Sequence, residues 1–430
     1  MENLTPTIAN RIGSLDFLRG IAVLGILLLN IEGYSFPSFH YNQFTSFTGI
    51  NYWIIWIIEV FFDGTMRGIF SMLFGVSCLL LLNKTNDINS IDIYFRRLLW
   101  LFILGLFNAY ILLWDGDILY NYAICGMFLF AFRNLNVKFL IVISLALMIG
   151  SFLRPTYKFL TERKPTYMAY KSAMVDSLKH HKKLSLMQKE KIETFKEMSG
   201  RFKKDTSAIN SEIRTMRGSF TSVFNKRWKD GEWAQKWTIY DLGFWDYILM
   251  MFLGMAFYKF GFFTGQFSTK NIIYLLIFSY FLGLIMRIRF ANSIYYTQKE
   301  FEAFFETYTI PTGAYFNIQR ALMTVGHLCL LMLIYLSGKF KLFIKIISKV
   351  GQMALTNYFL ESIICGLFFY GFGFGMFAKL QIYQNYLFCI IVWIICISFS
   401  NIWLHYFKMG PFEWIWRSLT YWNKQGMLKK

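Results

Sequence analysis

Apolar residues in this chain are gathered into blocks of about 15 to 25, the length a helix needs to cross roughly 30 Å of hydrocarbon. Ten such blocks stand out, at 17–34, 53–82, 98–114, 118–132, 139–153, 243–263, 271–288, 314–336, 353–372 and 385–406. Inside lipid no water is available to the backbone, so each block is expected to be a helix. The fold class that follows is an all-α membrane protein, a polytopic bundle of about ten transmembrane helices with one extracytoplasmic insertion. The composition agrees: 16% of residues are charged, against about 25% in soluble domains. The chain divides into an amino-terminal membrane bundle of about five spans (1–153), a basic insertion (154–240) and a carboxy-terminal membrane bundle (241–430). The second block is too long for one straight span. Its early part, Tyr52 to Phe62, ends at Asp63-Gly64 and is expected to lie in the interface before the chain turns inward.

Orientation follows from Lys and Arg in the short loops. The loop Ser35 to Asn51 and the loop around Trp114-Asp115-Gly116-Asp117 contain neither. The alternate side collects Arg11, Arg19, Lys84, Arg96, Arg97, Arg133, Lys259, Lys341, Lys345, Lys349 and Arg417. Both termini are therefore expected in the cytoplasm, and the insertion outside. The insertion carries 20 Lys and Arg against 9 Asp and Glu, and long loops obey the charge rule poorly. A net charge of +19 belongs here to topology signals and anionic lipid, so no nucleic-acid partner is expected. The six cysteines lie in apolar stretches without a CxxC pair and read as packing residues. The first apolar run, from Phe17, has no cleavage pattern and reads as a retained span.

Ionisable groups within spans are expensive, so each is a functional candidate. On the cytoplasmic side Asp16 and Arg19, three apart, share one helix face. Arg96 and Arg97 open the third span. Arginines there suit a phosphorylated cytosolic donor. Near the outer side lie Glu32, His40, Asp63, Arg67, Asp115 and Asp117, with Asp63 and Arg67 four apart and able to pair. Near mid-depth lie Asn30, His327 and Glu361. A contact between His327 and Glu361 would form a proton relay. No Walker sequence, zinc spacing or Gly-x-Ser-x-Gly occurs, which leaves NTPase, zinc protease and serine hydrolase readings without support.

The opening RIGSLDFLRGIAVLGILLLN at 11–30 and the tail MGPFEWIWRSLTYW at 409–422 resemble the bacterial family called domain of unknown function 418. Gly410, Pro411, Glu413, Trp414 and Arg417 carry the tail motif. Between them FFDGTMRGIFSMLFG, RRLLWLFILGLFNAY, GDILYNYAICG and GQMALTNYFLESII extend the likeness. The Arg-Gly that opens the first span is shared with two families of transmembrane acyltransferases, one modifying surface polysaccharides and lipids, the other similar to the enzyme that acetylates heparan sulfate. The resemblance implies an acyl-CoA-type donor bound from the cytoplasm, no permanently bound cofactor, and an acceptor on the far side. The polysaccharide-modifying families have a histidine eleven positions after the arginine. Here that position is Asn30. The heparan-type family keeps asparagine there and has its histidine in the following loop, where this chain has His40.

The expectation is a membrane-embedded acyltransferase-like protein of the bacterial cytoplasmic membrane. His40 or His327 would serve as base, with Glu361 beside it. Asp16, Arg19, Asn30, Arg96 and Arg97 would bind the donor. Glu32, Asp63, Arg67, Asp115 and Asp117 would position a polysaccharide, lipid or small-molecule acceptor. Membrane lipids are further partners, and a homodimer is compatible with the sequence. The alternative is a proton-coupled transporter or flippase using His327 and Glu361. A third reading is an envelope factor without enzymatic activity.

Overall fold

Each of the ten apolar blocks holds a helix. The computed structural model describes residues 12–37, 48–82, 88–179, 184–200, 205–240, 243–299 and 301–429. The first half contains α1 (Gly13–Ser35), α2 (Gly49–Ile57), α3 (Thr65–Leu82), α4 (Ile88–Tyr110), α5 (Leu119–Leu129) and α6 (Val137–Lys158). The insertion adds α7 (Lys164–Lys179), α8 (Leu186–Gly200), α9 (Thr206–Met216) and α10 (Phe220–Tyr240). The second half contains α11 (Gly243–Lys259), α12 (Thr269–Lys299), α13 (Phe301–Thr307), α14 (Phe316–Leu336), α15 (Lys341–Gln352), α16 (Ala354–Phe369), α17 (Ile382–Tyr406) and α18 (Pro411–Tyr421). Among the described residues six helical stretches are long and apolar enough to cross a membrane: Gly13–Ser35, Gly49–Leu82, Val137–Ser177, Thr269–Ser293, Thr312–Leu336 and Ile382–Tyr406. Leu119–Phe132 and Ala354–Phe369 are apolar but shorter. On α6 the exposed side chains include Phe139, Val142, Leu145, Ile149 and Leu153, and on α12 they include Ile273, Ile277, Phe281 and Ile285. Apolar stripes of that length turned outward are stable against lipid and not against water. The protein is an all-α membrane protein.

The core forms around α1, which packs against α3, α14, α15, α16 and α17. Where α1 crosses α15, small residues let the backbones meet. A Cβ on Gly20 would strike the Ile347 carbonyl, and one on Gly351 would strike the backbone of Asp16. The glycines of the Arg-Gly opening and of the GQMALTNY segment are thus two sides of one crossing. The end of the bundle where α15 and α18 lie is the tail face, and the opposite end is the insertion face.

The second apolar block breaks where its Asp63-Gly64 signal predicts. A π-helical turn at Ile58–Phe62 follows α2, and Gly64 adopts φ +68 before α3 begins. The insertion is rooted in the bundle without a linker, because α6 passes through a second π-helical turn, Phe159–Arg163, into α7. Its own small core of Phe159, Tyr167 and Phe195 is completed by Phe305 of α13, from the other half of the chain. Lys171 closes on Glu306 at 2.6 Å there.

The tail motif performs a structural task. Gly410 leaves room beside the Glu413 carboxylate, and Pro411 sits in the first turn of α18. Glu413 Oε1 accepts from the backbone N–H groups of Leu355 (2.7 Å) and Thr356 (3.1 Å), and Oε2 accepts from Thr356 Oγ1 at 2.5 Å. These are the otherwise orphaned donors of the first turn of α16, and a carboxylate there also suits the helix dipole. Trp414 Nε1 donates to the Gln425 carbonyl at 2.7 Å and holds the last turn of the tail.

Candidate functional site

A cavity of about 150 Å³ opens among α1, α3, α4, α5, α16 and α18. Its tail-face end is lined by Arg19, Arg97, Arg417, Glu413 and Trp416. Val23, Ile26, Phe70, Phe74, Leu98 and Leu101 form apolar walls, and Ile118, Leu119, Tyr122 and Tyr358 close the far end. Arg19 bonds Ser77 Oγ at 3.3 Å and lies 3.5 Å from Asp16. Arg97 stacks on the Trp416 ring at 4.1 Å, while Trp416 Nε1 donates to the Arg97 carbonyl at 2.9 Å. Arg417 and Arg19 act on Arg97 as like charges. Three guanidiniums from three distant chain positions therefore converge, while Glu413 is engaged by α16. An excess of positive charge beside an apolar channel suits an amphipathic ligand with a phosphate at one end. The neighbouring Arg96 does not join them, since it pairs along the surface of α4 with Asp92 at 2.5 Å.

The far end of the cavity is made by the loop between α4 and α5. Leu113 takes φ 60, Trp114 stacks on Tyr34 at 4.0 Å, and Tyr370 donates to the Leu113 carbonyl at 3.2 Å. The Ile118 N–H donates to the Tyr358 hydroxyl at 3.2 Å. Asp117 accepts from Asn108 Nδ2 and from the Tyr120 N–H, each at 2.9 Å. Burial pushes its carboxyl up to about 7, although those two donors and Tyr358 favour the charged form. Folding thus makes Asp117 hold its proton more tightly than the unfolded chain does, where the value is about 4. The stability it contributes is fully present below about pH 4 and is lost as pH rises through about 7. Asp117→Asn keeps the hydrogen bonds of a helix start without the titration. Its thermal midpoint is expected to fall less than that of the unchanged protein between pH 5 and pH 8, and parallel profiles would dismiss this account.

Asp115 belongs to the same loop and is reached from the insertion. Arg227 of α10, fully buried, places Nη1 2.9 Å from Asp115 Oδ1, donates from Nη2 to the Gly33 carbonyl at 2.7 Å, and lies 5.1 Å from the Tyr370 ring centre. Burial works against the Arg227 charge, but Asp115 and its neighbours outweigh it. Burial raises the Asp115 carboxyl, and Arg227 holds it back.

Towards the insertion face lies a second group of charges. Asp63 and Arg67, four apart in sequence, do not pair with each other. Asp63 bonds Arg287 at 2.8 Å, and Arg67 reaches Asp246 at 3.3 Å. Arg320 also pairs with Asp246 and bonds Asn317. The turn at Gly64 separates Asp63 from the helix that carries Arg67, so the spacing of a continuous helix does not apply. Tyr122 joins the two regions: its ring lines the cavity, and its hydroxyl bonds Ser71 Oγ at 2.7 Å and the Arg67 carbonyl at 3.2 Å. Arg287, Arg320 and Asp246 were detectable in the sequence as ionisable residues inside apolar blocks. Arg227 was hidden among the many cations of the insertion.

The remaining candidates are dispersed. His40 lies outside the described residues. His327 bonds the Met323 carbonyl at 2.7 Å through Nδ1 and packs between Phe62 and Tyr280. Glu361 is buried on α16, near Cys365, Cys389 and Cys396, with no hydrogen-bond partner for either carboxylate oxygen. No hydrogen bond or ion pair joins it to His327. Asn30 is half-buried on α1 beyond the cavity walls, and Glu32 accepts from the Tyr386 hydroxyl at 2.6 Å. Among the described residues no group of three or more His, Cys, Asp or Glu side chains could hold a metal ion.

Residues 257–423 match the family described as "Protein of unknown function (DUF418)", the family that the opening and tail motifs resemble. The chain is 27% identical to the "Uncharacterized protein YxaH" of Bacillus subtilis over 441 residues, covering 100% of this chain and 99% of that protein. It is 26% identical to the "Uncharacterized protein YeiB" of Escherichia coli, covering 95% of each chain. No solved structure matches with significance.

Proposed function

We propose that this protein, whose second half matches the DUF418 family, is a membrane-embedded acyltransferase-like protein, moving an acyl group from a cytosolic acyl-CoA-type donor to an extracytoplasmic acceptor of the cell envelope. In this reading it is a multi-pass protein of the bacterial cytoplasmic membrane with about ten spans, both termini inside and the tail face towards the cytoplasm. The observation that carries the reading is the convergence of Arg19, Arg97 and Arg417 on one cavity with apolar walls. The guanidiniums suit the donor's phosphates, and the apolar walls beyond them suit its acyl group. The acceptor's hydroxyl or amine attacks the thioester carbonyl, the new C–O or C–N bond forms, the C–S bond breaks, and a base takes the acceptor's proton. His40 is the proposed base, as the heparan-type resemblance implies, because His327 is engaged by its own helix away from the cavity lining.

One observation favours a second reading. A buried carboxyl without partners, as at Glu361, suits a group that carries a proton through a transport cycle. Titration of the purified protein in lipid nanodiscs with CoA and acetyl-CoA, followed by assay of thioester loss, separates the two. Saturable CoA binding with thioester consumption supports acyl transfer. Absence of CoA binding, together with a proton-gradient-driven flux lost in Glu361→Gln, would move the assignment to transport.

A further inference from the structure

Helix α10 crosses the insertion-face ends of the bundle. Phe220 meets Phe372 beyond α16 (ring centres 5.4 Å apart), Arg227 meets Gly33 of α1, and Trp228 meets Tyr110 of α4 at 4.4 Å. Its bundle-facing side, Val223, Arg227 and Gly231, repeats every four residues and is buried. Beside that seam runs an aromatic stripe of Phe220, Phe224 and Trp228, with ring centres 5.9 and 5.5 Å apart. Phe220 is 54% exposed and Trp228 41%. The next flank is polar and exposed, with Thr221, Asn225, Lys229 and Glu232.

The stripe does not stand alone. It adjoins Phe372, and near it Ile111 and Phe374 are 61% and 76% exposed. Ile111 lies just beyond the end of α4, and Phe372 and Phe374 just beyond the end of α16, on the insertion face. A helix with a buried seam, an aromatic flank continuous with the spans and a charged flank fits the boundary between acyl chains and headgroups. Lys226 is engaged by Asp230 (2.6 Å) and Glu212 (3.6 Å), which leaves Lys229 on the outer flank to meet lipid phosphates.

We infer that α10 is an interfacial helix whose Phe220–Phe224–Trp228 flank is seated in the lipid leaflet on the insertion face. The insertion is then partly a lipid-bound layer, and the helix that holds Arg227 over Asp115 is itself steadied by the membrane. This rests on the membrane character of the chain and not on the acyl-transfer reading.

The test uses the full chain in nanodiscs of phosphatidylcholine and phosphatidylglycerol. Single cysteines at Phe220→Cys, Trp228→Cys, Asn225→Cys and Lys229→Cys carry an environment-sensitive fluorophore. The six native cysteines are buried and are replaced by alanine if they label. Nitroxide lipids are expected to quench the 220 and 228 probes several-fold more than the 225 and 229 probes, with aqueous iodide giving the reverse order. Equal quenching at the four sites, or iodide reaching 228 as readily as 229, overturns the inference. Hydrogen exchange of residues 220–232 in the unsubstituted protein is a second measurement: slower exchange in nanodiscs than in a lipid-free polymer supports it, and equal rates oppose it.

Discussion

Alanine at Arg97 is expected to weaken CoA binding by about 10- to 100-fold, and alanine at both Arg19 and Arg97 by more than either change alone. A hydrogen bond to a charged group contributes about 1.5–3 kcal/mol, and about 1.4 kcal/mol is a tenfold change in affinity. Arg97 gives the cleaner reading of the two. It stacks on Trp416 and forms no ion pair among the described residues, so its removal strands no described buried carboxylate. Removing Arg19 disturbs Asp16, which is buried 3.5 Å away. Arg97→Lys keeps the charge without the planar fork and is expected to fall between the wild type and alanine. Arg96→Ala, on a different face of α4, is expected to leave affinity within about twofold, a change of about 0.4 kcal/mol. Calorimetric titration in nanodiscs measures all five variants, Arg19→Ala included. Wild-type affinity in Arg97→Ala would remove the cavity from the proposed donor site.

Arg227→Ala is expected to destabilise the protein by about 3–5 kcal/mol, the effect of leaving one member of a buried ion pair alone. Asp115 would lose its 2.9 Å partner, and the Gly33 carbonyl its donor. The double variant Arg227→Met with Asp115→Asn removes both charges and is expected to recover much of the loss, because no charge is left without its partner. Thermal unfolding of the unchanged protein, Arg227→Met, Asp115→Asn and the double variant in one lipid system forms the cycle. A drop for Arg227→Ala no larger than that of the double variant would show that the pair does not hold the loop.

The architecture was legible because hydrocarbon imposes a length and forbids unpaired backbone; blocks of Leu, Ile and Phe specify helices with little ambiguity. The opening and closing motifs that carry Arg19 and Arg417 were in view on one side of the membrane, but their meeting at one cavity was not. Direction around a helix axis was not. Arg96 and Arg97 look equivalent in sequence, yet a turn of about 100° sends one along the surface and the other into the cavity. His327 and Glu361 share a similar depth, but depth says nothing about which neighbour a helix turns towards. Asp63 and Arg67 have the spacing of a helical pair, and the glycine between them takes the chain out of the helix. Tyr122 and Tyr358 gave no signal, since aromatic residues are common everywhere in this chain.

The contact between Arg227 and Asp115 joins residues 112 positions apart, and that separation has a consequence for biosynthesis. The chain is made from its amino end, so the first five apolar helices and their connecting loop exist for the time it takes to make a hundred further residues before the matching arginine is available. During that interval Asp115 lacks the arginine that lies 2.9 Å from it in the finished fold. Completion of the insertion is the step at which Asp115 gains its arginine.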